Sequence, residues 1–191
     1  MSLPWFKRTA WLAFGLALLT ASCSETGNKA PESPLAPPVL HSQNSNTNYT
    51  PIRDPLPLTL NLKDLLSTQL IGISGGSISL LGHSITVPKG AVTTPTIFTI
   101  TVLPTGYTEV SLLALVPNLL STLNIGEQGF KKPVTLTMTW ARSPVPIDPS
   151  RVVILWNHDG TVDPMPTTVN ATKKTASAQL PHFSKYCMAT N

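Results

Sequence analysis

From Gly75 onward the hydrophobic pattern has a period of two. Ser77-Ile78-Ser79-Leu80 and Ser84-Ile85-Thr86-Val87 alternate, and the second run stops at Pro88-Lys89-Gly90. Thr96 to Leu103 is β-branched almost throughout. The clearest run is Val134-Thr135-Leu136-Thr137-Met138-Thr139-Trp140, with every even position apolar and every odd position threonine. Successive strand residues point to opposite faces, so this run has one packed face and one that meets water. Arg151 to Trp156 is apolar on both faces, as a central strand requires. Thr175 to Leu180 alternates with Ala176, Ala178 and Leu180 inward, and the chain closes with a strand over His182 to Met188. Asp159-Gly160 is a hairpin signal, while Lys132-Pro133 and Asp148-Pro149 open strands. Many short strands separated by Gly/Pro turns predict a mainly β fold, an antiparallel β-sandwich over residues 57–191. Val110 to Leu120 is apolar but contains Pro117 and fits no element well.

The pattern changes toward the N-terminus. In residues 57–74, Leu58, Leu60 and Leu62 alternate like a strand, whereas Leu62, Leu65, Leu66 and Leu70 suit one or two helical turns. A short helical turn is the favoured reading. Residues 24–56 hold a proline cluster at Pro31, Pro34, Pro37 and Pro38 and the polar run Gln43 to Asn48. Such a stretch has too few apolar side chains to offset the entropy of ordering, so it is expected to be a disordered linker. About 30 such residues would reach on the order of 100 Å if fully extended.

Ahead of the linker, Lys7 and Arg8 precede the apolar run Ala10 to Leu19. That run has the length of a secretory signal and is too short to span a membrane. It ends in Leu19-Thr20-Ala21-Ser22-Cys23, which resembles the site cut by the bacterial lipoprotein signal peptidase. The resemblance implies removal of residues 1–22 and acylation of Cys23 on its thiol and new amine, leaving a linker over 23–56. Several acyl chains at ~0.8 kcal/mol per buried methylene would hold the protein on a membrane. An ordinary secretory signal with an incidental cysteine is the alternative. Ser24 follows the cysteine; in enteric-type bacteria a residue other than Asp there resembles the outer-membrane sorting signal. The expected location is therefore exported and membrane-anchored, at the outer membrane in a Gram-negative host.

Charge changes this picture little. The formal charge is +4 and falls to +2 once Lys7 and Arg8 leave with the signal. No basic stripe is left to track phosphates, so a nucleic-acid partner is not expected. Charged residues are only 12% of the chain, with Thr, Ser, Asn and Pro in their place. With Cys23 acylated, Cys187 has no partner in the chain and reads as a buried small hydrophobe on the last strand.

Catalytic and metal motifs are sparse. His41, His83, His158 and His182 stand in no zinc-ligand spacing. Asn157 to Asp163 has the flavour of a calcium loop, but its twelfth position is Thr168 rather than Glu, and a hairpin turn explains it better. No Gly-x-Ser-x-Gly elbow occurs, and Asp148, Asp159 and Asp163 all flank turn residues. The expectation is no cofactor, no metal and no catalytic site. Trp140, Trp156, Tyr107 and Tyr186 are candidate stacking rings for a glycan, although Trp140 and Trp156 fall on apolar strand faces.

Three segments together resemble the ZU-five domain, a β-sandwich of ankyrins, netrin receptors and tight-junction scaffolds. They are Gly75-Gly76-Ser77-Ile78-Ser79 with Ile85 to Val92, then Gly129-Phe130-Lys131-Lys132-Pro133-Val134-Thr135-Leu136, and His182-Phe183-Ser184-Lys185-Tyr186, the last as in related bacterial surface lipoproteins. The resemblance implies a non-enzymatic binding or scaffold module for an unidentified protein or glycan partner, and fold alone does not transfer function. His182-Phe183-Ser184 also resembles the self-cleaving site of a nuclear-pore protein and of a death-domain adaptor with ZU-five domains. That likeness implies Ser184 as nucleophile on the Phe183 carbonyl, in an N-to-O acyl shift assisted by His182. The competing reading makes Phe183 and Tyr186 core residues, with Ser184 on the strand and His182 where the strand begins. A polysaccharide-binding module is the further alternative.

Overall fold

The period-two pattern folds into two antiparallel sheets. The computed structural model describes residues 40–41, 48–117, 122–158 and 161–191, all within the unit Pro37–Asn191. The strands are β1 (Leu40–His41), β2 (Asn48–Pro51), β3 (Leu66–Ile71), β4 (Gly76–Leu80), β5 (His83–Val87), β6 (Thr96–Val102) and β7 (Glu109–Pro117). They continue as β8 (Thr122–Asn124), β9 (Val134–Thr139), β10 (Val152–His158), β11 (Thr161–Pro164), β12 (Thr167–Asn170), β13 (Thr175–Leu180) and β14 (Lys185–Thr190). One sheet runs β1-β2-β14-β7-β6-β3, with β10 also on β14, β11 on β10 and β8 on β7; the other runs β12-β13-β9-β5-β4.

Between the sheets lies the main core. The large sheet contributes Phe98, Ile100, Leu112, Ile154, Tyr186 and Met188, and the small sheet Ile85, Leu136, Met138, Ala176 and Leu180. The alternation read from the sequence is the alternation of burial: Val134, Leu136 and Met138 are fully buried while Thr135 and Thr137 are partly exposed. β10 is apolar on both faces because both are covered. Ile154 points into the main core, and Leu155 joins Tyr49, Val162, Cys187 and Ala189 in a second cluster behind the large sheet.

Three expectations need correction. Residues 48–56, read as the end of the linker, belong to the folded body. β2 pairs with β14 through Pro51 and Ala189, and Tyr49, Ile52 and Asp54 are buried. These few apolar residues sit beside a long Pro/Asn run that sets the local composition, so a composition reading hides them. Residues 57–74 hold one short turn, the 3-10 helix Leu62–Leu65, whose Asp64 carboxylate accepts the Asn61 N–H at 2.9 Å. Leu66 and Leu70, counted toward a helical face, instead lie on β3, which pairs along its length with β6. His182 to Ser184 is a loop, and the last strand begins at Lys185.

The unplaced segment Val110 to Leu120 is mostly β7. Its residues Val110, Leu112 and Ala114 point inward, and Pro117 ends it, where a missing N–H costs the ladder least. Residues 118–120 and the hairpin dipeptide Asp159-Gly160 lie outside the described residues, but His158 pairs with Thr161 across that dipeptide. At Gly75 the φ of +76° and the room available both demand glycine: a Cβ there would stand 2.4 Å from the Val87 carbonyl oxygen.

Candidate functional site

The three segments that carry the ZU-five resemblance meet in space. The Lys132 ammonium donates to the Lys89 carbonyl at 2.9 Å and the Lys131 N–H to the Ala91 carbonyl at 3.1 Å. The Phe130 N–H donates to the Pro181 carbonyl at 3.0 Å, and the Phe130 and Phe183 rings meet edge-on at 4.7 Å.

Phe183 is the hub of the loop between β13 and β14. Its ring also meets Phe98 edge-on at 5.7 Å, and it is 3% exposed. The backbone is held from both sides. The Phe183 N–H donates to the Gly126 carbonyl at 2.7 Å, the Ser184 carbonyl accepts the Leu112 N–H at 3.0 Å, and the Tyr186 hydroxyl donates to the His182 carbonyl at 2.9 Å. Gly126 belongs to the single-turn helix Ile125–Gln128, which Asn124 caps through its side-chain oxygen. A Cβ on Gly126 would approach the Phe183 Cβ to 3.0 Å, so the glycine lets the loop sit this close.

The rim of this loop is a ring cluster. Trp156, on β10, contacts His158 at 4.0 Å and His182 at 4.6 Å between ring centres. His158 Nε2 is 2.8 Å from an Asp163 carboxylate oxygen across the β10–β11 hairpin. Glu127, Trp156, His182, Phe183 and Ser184 line an open depression of about 320 Å³. The Trp156 Nε1–H is buried without a hydrogen-bond partner among the described residues. Of the four candidate stacking rings, Trp140 and Tyr186 are buried, while Trp156 and Tyr107 are half-buried.

His182 and Ser184 are thus partly exposed, whereas Phe183 between them is buried and has a packing role. Among the described residues, the non-glycine positions with positive φ are Leu81 and Lys174, neither of them in this loop. The protein is accordingly expected to stay one chain. Denaturing mass spectrometry after prolonged storage at neutral pH should find no loss of Ser184 to Asn191. A loss abolished by Ser184→Ala would establish the acyl shift instead.

Cys187 and Tyr186 are sunk in packing. Burial, with Glu109 nearby, pushes the Cys187 thiol up to about 12, so almost no thiolate exists at neutral pH. Burial raises the Tyr186 phenol beyond any role as an acid or base at neutral pH. No group of three or more His, Cys, Asp or Glu among the described residues is placed to hold a metal. The Asn157 to Asp163 segment forms the β10–β11 hairpin. Cys23 lies outside the described residues.

Sequence reasoning missed one cluster. The Arg142 guanidinium grips both Asp54 carboxylate oxygens, at 2.7 and 2.6 Å, and also donates to the Leu81 carbonyl. His83 is fully buried, with Nε2 3.0 Å from Arg142 Nη2 and Nδ1 accepting the Thr139 N–H at 3.3 Å. This network fastens the segment after β2 to the β4–β5 turn, where Leu81 holds a φ of +50°. Burial raises the Asp54 carboxyl, but His83 beside it and the hydrogen bonds and charge of Arg142 outweigh that and hold it below the ordinary carboxylate range. A lowered folded-state value stabilises above the unfolded value, near pH 4, and is lost as pH falls through the folded value. Stability should therefore fall on acidification below about pH 4, and Asp54→Asn should flatten that limb of the profile while lowering stability at pH 7. An unchanged acid limb in urea titrations of the variant would contradict the assignment.

No protein-family model matches this chain, and no curated protein matches it in sequence.

Proposed function

We propose that the protein is a lipid-anchored module of a bacterial cell envelope, a ZU-five-like sandwich that binds a partner rather than transforming a substrate. The observation that carries this reading is the sequence Leu19-Thr20-Ala21-Ser22-Cys23 ahead of a sandwich in which Cys187 and Tyr186 are buried in the packing. The contacts among the Pro88-Lys89-Gly90-Ala91, Phe130 to Leu136 and His182 to Tyr186 segments support the ZU-five likeness. In this reading Cys23 carries the acyl chains, the residues after it act as a spacer, and the sandwich is held at the membrane surface ready for a protein or glycan. At about 0.8 kcal/mol per buried methylene, two or three chains make release slow.

Capture from envelope extracts tests the binding half of the proposal. The full chain, solubilised in mild detergent and immobilised through a C-terminal tag, should retain a specific envelope component. The Met138→Asp variant, unfolded for the reasons given below, should not retain it. Equal retention by the folded and unfolded chains would show adsorption only and count against a binding module.

A further inference from the structure

The large sheet ends on β3, and that edge is bare. β3 pairs with β6 over all six residues from Leu66 to Ile71, without a bulge, and with no other strand among the described residues. In an antiparallel pair only alternate residues turn their N–H and C=O toward the neighbour. The remaining backbone groups of β3 therefore face outward, with no backbone partner among the described residues. The side chains are open on both faces: Leu66, Thr68, Gln69 and Leu70 are exposed, Ser67 is half-buried and Ile71 is buried.

Edge strands are ordinarily blunted by shortness, a charge, a proline or a bulge. The other described edges largely follow that rule. β1 has two residues, β8 three and β12 four, and β11 carries Asp163 and Pro164. β4 is uncharged but opens on Gly76 and turns Ser77 and Ser79 to solvent. β3 is six residues long, has no charge and no proline, and bears two exposed leucines.

Its sequence is also self-complementary. Leu66-Ser67-Thr68-Gln69-Leu70 reads leucine, polar, threonine, polar, leucine in either direction. Two copies laid antiparallel, Thr68 opposite Thr68, set Leu66 of each against Leu70 of the other on one face, and Ser67 against Gln69 on the other. Leu70 already continues a half-buried row through Ile97 and Leu115, and Leu66 of the second copy extends that row by one strand. Lys63 and Asp64 precede the strand, so in an antiparallel pair they fall at opposite ends and no like charges meet. We propose that β3 pairs with β3 of a second copy across a two-fold axis, joining two large sheets into one. Both edges are then consumed, so association closes at the dimer instead of growing into a fibre. A single strand pair is a small interface, and confinement of the copies on one membrane would raise their effective concentration.

Sedimentation equilibrium of the full chain in density-matched detergent, at high micromolar concentration, tests it. The protein is expected at twice its chain mass, and the variant with Leu66→Lys and Leu70→Lys at the mass of one chain. Both substitutions fall at exposed positions, and thermal unfolding of the variant should confirm that it is folded. A disulfide reads the register. Directly opposed residues of an antiparallel pair stand about 4.5–5.5 Å apart between Cα atoms, within disulfide reach. Thr68→Cys should therefore give a crosslinked dimer on mild oxidation. Leu66→Cys should not, because the two copies of that position stand four residues out of register, about 14 Å apart. The unsubstituted chain sets the background from Cys23 and Cys187. A dimer that survives the paired lysines overturns the proposal. So does equal crosslinking at Thr68→Cys and Leu66→Cys, as two copies sharing a micelle by chance would give. A single-chain mass for the unsubstituted protein also overturns it, and leaves the edge to another protein's strand or to the lipid surface.

Discussion

Met138→Asp is expected to leave the protein unfolded at room temperature, while Thr137→Asp costs about 1 kcal/mol or less. The two residues are neighbours on β9 and differ only in the face they occupy. Met138 is fully buried in the core between the sheets, opposite Ala176 on β13. Its replacement removes core contacts, a loss of about 2–5 kcal/mol for truncation alone, and adds the several kcal/mol of burying an unpaired carboxylate. Together these match the whole stability of a typical domain, about 5–15 kcal/mol. Thr137 is partly exposed and trades one hydroxyl contact with Ser177 for a carboxylate that can accept a hydrogen bond from the Ser177 hydroxyl. Chemical denaturation of both variants, followed by tryptophan fluorescence, checks the pair. Equal losses would mean that both faces of β9 are covered, which is incompatible with the sandwich described above.

A chain that begins at Leu56 should lose most of its stability, whereas one that begins at Pro37 should unfold in a single cooperative transition. The shorter chain lacks β2, the buried side chains of Tyr49 and Ile52, and Asp54. It also loses backbone pairing on both sides of Ile52: the Ile52 N–H donates to the Met188 carbonyl at 2.9 Å, and the Ile52 carbonyl accepts the Thr108 N–H at 2.8 Å. Arg142 would remain with its carboxylate partner removed, although at 26% exposure it can turn partly to water. Removing one member of a buried pair costs about 3–5 kcal/mol, and each fully buried aliphatic side chain about 1.5–3 kcal/mol more. Equal denaturation midpoints for the two chains would show that residues 48–55 merely lie against the sheet.

Legibility followed periodicity. Strands with one buried face announce themselves through alternation, and β4, β5, β9 and β13 are legible because each sets apolar residues on one side against Ser, Thr or Gln on the other. β3 was misread because its exposed leucines, Leu66 and Leu70, fall four apart and mimic a helical stripe. β2 was lost among prolines and asparagines. The Asp54–Arg142–His83 network joins residues far apart in the chain, and no local spacing marks it. The hydroxyls of Ser84, Thr137 and Ser177 were visible strand by strand, but that they form one row depends on register, which emerges only when the strands pair. His182-Phe183-Ser184 was found by its likeness to a motif, and the structure adds what likeness could not: Phe183 locked between Phe98 and Phe130.

Acylation at Cys23 is the most direct test of the account as a whole. Cells of a bacterial host grown with radiolabelled palmitate should incorporate label into the wild-type chain, and the labelled protein should run at the mass expected after loss of residues 1–22. Cys23→Ala should carry no label and keep its N-terminal segment. Label in the Cys23→Ala chain, or an unlabelled wild type released as a soluble protein, would contradict a lipid-anchored envelope module.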